Sequence, residues 1–264
     1  MVLATPMGRF DDLKGKLRRE ALRVARKVSG VPAEKPNAPQ LDFTEDERKV
    51  LTAVRDYTMT SAARVVSLVR AVDYLVAERI PGDFVECGVA AGGSVMAMAI
   101  RLKMLGAADR RIWLYDTFAG MSEPTDEDRG RFGEPAAARY HKRLKDGVST
   151  WINHPLEQVK AAVSTTGYPE NLIEYVKGKV EDTLPERRPQ ALALLRMDTD
   201  WHASTAAEME YLWPLLAPGG IAIADDYYRW RGSRKAIDEY LSTRRIRVFW
   251  ARIDEHAAIA VKQG

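Results

Sequence analysis

The chain predicts an α/β fold: a doubly wound, mostly parallel seven-stranded sheet behind an N-terminal helical extension. Three observations predict it. From Gly82 onward, short apolar runs alternate with helical patterns, as in successive βαβ units. Glycines crowd the turn after the first run, at Gly88, Gly92 and Gly93. Two later runs each close on aspartates. Ala191–Met197 leads into Asp198-Thr199-Asp200, and residues 219–224 lead into Asp225-Asp226.

Residues 10–28 carry apolar side chains at helical spacing with basic residues between them. This pattern fits a solvated terminal helix or one lying on a membrane or partner. Residues 31–40 contain three prolines and no periodicity, so they read as a linker. The expected organisation is therefore 1–40 as basic helix and linker, and 41–264 as the folded domain. Thr44 has the chemistry of an N-cap, with Glu45, Asp46 and Glu47 in the first turn. Residues 44–55 and 61–79 read as two helices with a break near Tyr57–Ser61.

The first expected strand is Asp83–Cys87, followed by helix 94–105 and strand Arg111–Tyr115. Residues 119–150 form a long mixed segment, and such segments are lids or carry elements of their own. Helix 155–165, strand 173–177, strand 191–197, helix 203–216, strand 220–224 and helix 232–242 follow. Ile246–Ile253 and 257–262 read as a closing hairpin around Asp254-Glu255, compatible with a mixed sheet edge.

The bulk figures exclude several classes. Of 264 residues, 46% are hydrophobic and 29% charged, with a net charge of +3. That supports a sizeable core and gives no nucleic-acid footprint outside the N-terminal basic cluster. No run of about 18 apolar residues and no signal peptide is evident, so no membrane span is expected. One cysteine, Cys87, precludes an intramolecular disulfide and fits a cytoplasmic protein. Its place inside a strand end points to an inert, buried thiol.

Aspartates at two neighbouring strand ends crowd the carboxyl edge of the sheet, where open α/β folds bind ligands. Like charges that close call for a proton or a cation. A hard divalent ion such as Mg²⁺ takes oxygen ligands. The turn Glu86–Ser94 is neither a dinucleotide G-x-G-x-x-G motif nor a P-loop. It gains meaning from Asp116, which ends the next strand 30 residues downstream of Glu86. A carboxylate there can accept from ribose hydroxyls, and Glu86 can face an ammonium group. That pair suits S-adenosyl-L-methionine better than a pyrophosphate cofactor. Capping, salt-bridge and turn-starting roles remain open for Glu86 and Asp116.

The stretches YTMTSAAR (57–64), IPGDFVECGVAAGGS (80–94), LYDTFAGM (114–121), GKVEDTLPE (178–186), LLRMDTDW (194–201), LAPGGIAIADDY (216–227) and GSRKAIDEY (232–240) together carry a resemblance. The chain resembles the macrocin O-methyltransferases, Rossmann-like class I S-adenosylmethionine-dependent sugar O-methyltransferases of antibiotic biosynthesis. The resemblance implies that Thr58, Met59 and Ser61 close over the methionine end of the cofactor. It places Glu86, Gly88, Gly92 and Ser94 around the amino-acid portion, and Asp116, with Thr117 and Phe118, at the ribose. Gly178, Lys179 and Val180 would border the adenine, and Asp198 would adjoin the cofactor. Asp198, Asp225 and Asp226 match the family's Mg²⁺ ligands. Asp200 is the candidate base, with Asp198 its competitor; an N-cap role for Asp200 is the alternative.

His202 departs from the family pattern and reads either as an acceptor-side base or as a surface polar group. Trp201, Tyr227, Tyr228 and Trp230 read as an acceptor wall or as rim packing, and Phe118 and Met121 as cover for the cofactor. The implied partners are a glycoside acceptor and a second copy of the chain. The competing readings are a catechol-type O-methyltransferase, a non-catalytic nucleoside-binding protein and an NAD-dependent oxidoreductase.

Overall fold

The computed structural model describes residues 42–264. The basic helix expected over 10–28 and the linker over 31–40 lie outside the described residues. The first described helix, α1, spans Glu45–Val54 and opens with a capping box. Thr44 Oγ1 accepts the Glu47 N–H at 3.2 Å, and Glu47 returns a carboxylate oxygen to the Thr44 N–H at 2.6 Å. Helix α2, Ala62–Ala77, is capped by Ser61 and buries Val65, Leu68, Val69, Val72 and Leu75 along one stripe.

Strand β1 (Asp83–Cys87), helix α3 (Gly93–Met104) and strand β2 (Ile112–Asp116) form the first βαβ unit. The long segment after β2 carries helix α4 (Ala136–His141) and the short hairpin β3 (Leu144–Lys145) and β4 (Val148–Ser149). Then come α5 (Leu156–Ser164), β5 (Ile173–Lys177), α6 (Val180–Thr183), β6 (Leu192–Met197) and α7 (His202–Tyr211). Strand β7 (Leu216–Ala224), α8 (Arg231–Thr243), β8 (Ala251–Arg252) and β9 (Ala258–Val261) complete the chain.

The large sheet has seven strands in the order β5-β2-β1-β6-β7-β9-β8. The five strands from β5 to β7 are parallel, and β9 and β8 add on antiparallel. The order reverses direction at β1, so β1 and β6 flank the switch point, where such sheets bind ligands. Period-two alternation splits the core between the two faces. Phe84, Leu114, Leu194 and Ile223 pack with α1, α2, α3 and α5 on one side. Val85, Tyr115, Leu195 and Ala222 pack with α6, α7 and α8 on the other.

Two expected boundaries move. The helix expected over 203–216 stops at Tyr211, because Pro214 cannot donate the bond a helix needs; a 3₁₀ turn, Trp213–Leu215, covers the gap. Leu216 already belongs to β7, opposite Leu192. The strand expected over 246–253 pairs only through Ala251 and Arg252. Residue Phe249, inside that run, is 82% exposed.

Candidate active site

The glycine turn is built by close approach. Gly88 has φ +82°, and a Cβ there would lie 2.1 Å from the Asp198 carbonyl oxygen. Only glycine lets the end of β1 pass the end of β6 at that distance. Gly92, at φ +91°, is the N-cap of α3. A Cβ on Gly93 would lie 2.6 Å from both Thr58 Cβ and the Tyr57 carbonyl oxygen, and the Gly93 N–H donates to that carbonyl at 3.1 Å. The 57–61 segment therefore rests directly on the turn. Ser61 faces the other way: its hydroxyl donates to Asp254 at 2.7 Å, while Met59 is largely exposed.

Asp116 locks the turn from the neighbouring strand. One carboxylate oxygen accepts the N–H of Val89 at 2.7 Å and of Ala90 at 3.2 Å; the other accepts the Phe118 N–H at 2.7 Å. Ala90 (φ +48°), Phe118 (φ +50°) and Asp200 (φ +71°) hold the left-handed region, which costs non-glycine residues energy. Three such residues at one sheet edge mark a site shaped by more than packing. The Thr117 hydroxyl donates to the Gly120 carbonyl at 2.7 Å. Gly178 donates its N–H to the Asp116 carbonyl at 3.0 Å, Lys179 caps α6, and Val180 is buried in the core below.

Arg196 organises the charges. It faces Glu86 across the β1–β6 register and sits on the same face as Ile223. Its guanidinium contacts Glu86, Asp198 at 2.7 Å and Asp225 at 2.6 Å. Arg64, from the first turn of α2, contacts Asp225 and reaches Asp254 at 2.8 Å. Burial raises the Asp225 carboxyl, but Arg196 and Arg64 outweigh it and hold that group below the usual range. Burial drives the Glu86 carboxyl up to about 7 against the pull of Arg196. Glu86 Oε2 is buried with no hydrogen-bond partner.

The carboxylates that converge are Asp198, Asp200 and Asp226, with one oxygen of each within 4.8 Å of the others. The expected trio contained Asp225 in place of Asp200, and the geometry differs for a simple reason. Successive residues at the end of β7 point to opposite faces, so Asp225 turns to Arg196 and Arg64 while Asp226 turns to Asp200. Burial and then neighbouring carboxylates hold the Asp198 and Asp226 carboxyls well above the usual range. Burial raises Asp200 to about 6. Without a cation, such a group keeps protons.

Other expectations resolve by contact. The His202 ring lies 3.2 Å from Glu239 on α8, so it belongs to the α7–α8 surface, and the backbone N–H of His202 donates to the Asp128 carboxylate at 2.7 Å. Cys87 is fully buried and its thiol is pushed up by burial, as an inert thiol requires. Trp201 and Trp230 pack with Trp151 from the 119–152 segment, with centroids 5.1–6.2 Å apart, as a buried cluster. The Tyr227 hydroxyl donates to Asp238 at 2.6 Å and its ring stacks on Trp250, so it packs against α8.

Sequence reasoning missed Arg196, Arg64 and Asp254. Arg196 had a readable signal: it is the one charged residue in the run 191–197. A lone arginine in a strand that is buried on both faces must have anionic partners.

The profile of the Macrocin-O-methyltransferase (TylF) family matches residues 14–262. The chain belongs to the macrocin O-methyltransferase family. It is 36% identical over 171 residues to the 8-demethyl-8-(2,3-dimethoxy-alpha-L-rhamnosyl)-tetracenomycin-C 4'-O-methyltransferase of Streptomyces olivaceus. That match covers 65% of this chain and 62% of the relative, less than two thirds of the relative's length. The mycinamicin III 3''-O-methyltransferase of Micromonospora griseorubida is 29% identical over 205 residues, covering 74% of this chain and 78% of its own. The solved structure of the O-methyltransferase NovP superposes with a TM-score of 0.69 at 25% identity, over 79% of this chain and 83% of that one. The class I methyltransferase fold expected for this family member is the fold observed. Among the described residues, no helix is long and apolar enough to cross a membrane.

Proposed function

We propose that the protein transfers a methyl group from S-adenosylmethionine to a hydroxyl on the sugar of a secondary-metabolite glycoside, with Mg²⁺ bound beside the acceptor. One observation carries the reading: three carboxylates, Asp226 buried and Asp198 and Asp200 half-buried, converge within 4.8 Å at the switch-point edge, next to the glycine turn. Burial and their mutual repulsion raise all three carboxyls even with Arg196 beside Asp198 and Arg229 3.7 Å from Asp226, and a bound cation would relieve both. The oxygen-only donor set suits Mg²⁺. For the cofactor, the fit rests on Glu86 Oε2, a buried acceptor lacking a donor, which an ammonium group would satisfy. The sugar acceptor follows from the names of the tetracenomycin and mycinamicin relatives.

Asp198 and Asp226 belong to both the expected and the converged sets, and we assign them as ligands. When bound there, Mg²⁺ makes a nearby acceptor hydroxyl more acidic. Asp200 is assigned the proton. Burial raises its carboxyl above the usual carboxylate range, the direction that suits a carboxylate for accepting a proton near neutral pH. Its left-handed turn fixes the oxygen that receives the proton. Arg196 and Arg64 keep Asp225 ionised and out of the exchange. Glu86, Asp116 and the 57–61 segment orient the cofactor, so alignment supplies much of the rate.

Calorimetry with S-adenosylhomocysteine, followed by methyl transfer to a panel of deoxysugar glycosides with and without EDTA, tests this. Binding of S-adenosylhomocysteine and EDTA-sensitive turnover of a glycoside are expected. Undiminished turnover in EDTA would remove the metal. Exclusive turnover of ortho-diphenols would replace the sugar with a catechol. Heat from NADH alone would overturn the cofactor assignment.

A further inference from the structure

Behind the carboxylate cluster lies an acidic side chain that the proposed chemistry does not use. Glu208, on α7, is 0% exposed. Its Oε1 accepts the Thr199 hydroxyl at 2.7 Å, and its Oε2 has no hydrogen-bond acceptor or donor of the kind that would stabilise a charge. Among the described residues, no cation forms a salt bridge with it. A carboxyl so placed is a neutral acid, because a lone charge in that setting would be far too costly. Burial outweighs the bond from the Thr199 hydroxyl and holds Glu208 well above the usual range.

Thr199 stands between Asp198 and Asp200. The turn they share is held at four other points. The Asp198 N–H donates to the Cys87 carbonyl at 2.9 Å, and the Trp201 N–H donates to the Thr199 carbonyl at 2.9 Å. The Ser204 hydroxyl lies 3.5 Å from that same carbonyl. Gly88 presses on the Asp198 carbonyl from the other side. These contacts fix backbone. Besides the Arg196 contact to the Asp198 carboxylate, the Thr199–Glu208 bond ties the turn through a side chain at its middle residue, and Asp200 sits just beyond it at φ +71°, a conformation that relaxes unless held.

We propose that Glu208 is a positioning residue: as a buried neutral acid bonded to Thr199, it fixes the turn that aims Asp198 and Asp200 at the acceptor. This inference rests on the proposed function for its activity readout alone. A neutral amide keeps the acceptor oxygen that Thr199 needs; an aliphatic side chain removes it. The role therefore separates Glu208→Gln from Glu208→Leu, which a simple volume requirement would not do.

The full chain and its Glu208→Gln, Glu208→Leu and Thr199→Val variants are compared by amide hydrogen exchange over residues 197–203, by S-adenosylhomocysteine calorimetry and by methyl transfer. Glu208→Leu and Thr199→Val are expected to exchange about tenfold faster at 198–201, the scale of one lost hydrogen bond. Glu208→Gln stays close to the parent. In the first two variants kcat falls on the order of tenfold to a hundredfold, while cofactor-product affinity holds, and glutamine restores the rate. The double variant Glu208→Leu/Thr199→Val is no worse than either single one. Parent-like exchange in Glu208→Leu, damage from glutamine equal to that from leucine, or additive losses would overturn the proposal. Thr199→Val, a small change, decides the matter if Glu208→Leu does not fold. A parent that neither binds S-adenosylhomocysteine nor transfers methyl groups would remove the functional reading, and the exchange results would still decide the role of Glu208.

Discussion

Arg196 and Glu86 face each other across the two central strands and form an ion pair with at most 4% of either side chain exposed. Removing one member leaves the other charge stranded in the core. Arg196 also serves Asp198 and Asp225, so its loss strands three carboxylates at once. Arg196→Met is expected to cost about 3–5 kcal/mol, read as a lower urea midpoint. An unchanged midpoint would mean that the three carboxylates take up protons without loss.

Gly93 has no conformational reason to be glycine, since its φ is not left-handed; only space explains it. Gly93→Ala would drive Thr58 and Tyr57 off the turn. The expected result is weaker S-adenosylhomocysteine binding, by about tenfold or 1.4 kcal/mol, together with a lower melting temperature from the displaced Tyr57 backbone. Tight binding with retained affinity would show that the 57–61 segment does not cover the cofactor.

The two neighbouring aspartates at the end of β7 are expected to separate. Asp226→Asn should weaken Mn²⁺ binding, measured by electron paramagnetic resonance, by at least about tenfold, the scale of a lost ligand or its support. Asp225→Asn should leave Mn²⁺ affinity nearer the parent and lower stability instead, because it strands Arg64 and Arg196. The reverse pattern would return Asp225 to the ligand set.

His256 gives a pH signature. Burial, then Arg229 and Arg64, hold its imidazole below the ordinary value of 6.5. Between that lowered value and 6.5 the unfolded chain binds more protons than the folded one, so stability falls as pH drops. The His256 contribution is complete above about 6.5 and is lost as pH falls through the folded value. Melting temperatures of the parent and His256→Gln, compared from pH 7.5 down to pH 5, should converge on acidification. Parallel curves would assign the acid response elsewhere.

Much of this was legible before any coordinates. The run at 191–197 was short, mostly apolar and bounded by turns, as a buried parallel strand requires, and 83–87 and the half-exposed edge strand 173–177 were bounded by turns in the same way. The glycine turn and both acidic clusters were likewise plain, because backbone proximity and strand ends leave local marks. What escaped was pairing across distance. Arg64 and Asp254 are separated by 190 residues, and no local pattern links them. Asp225 and Asp226 look alike in sequence, yet the pleat sends them to different partners. Pro214 was the exception, a local signal that should have ended the helix at Tyr211.

The Arg64–Asp254 contact also bears on how the chain is made. Asp254 lies in the connection between β8 and β9, which leaves the ribosome long after α2. Until it emerges, Ser61 lacks its partner and Arg64 has Asp225 alone, so in a nascent chain the 57–61 segment rests on the glycine turn without this second tether. Contacts closed over such separations form late, so the emerging polypeptide should acquire ligand affinity in one step, when that hairpin docks.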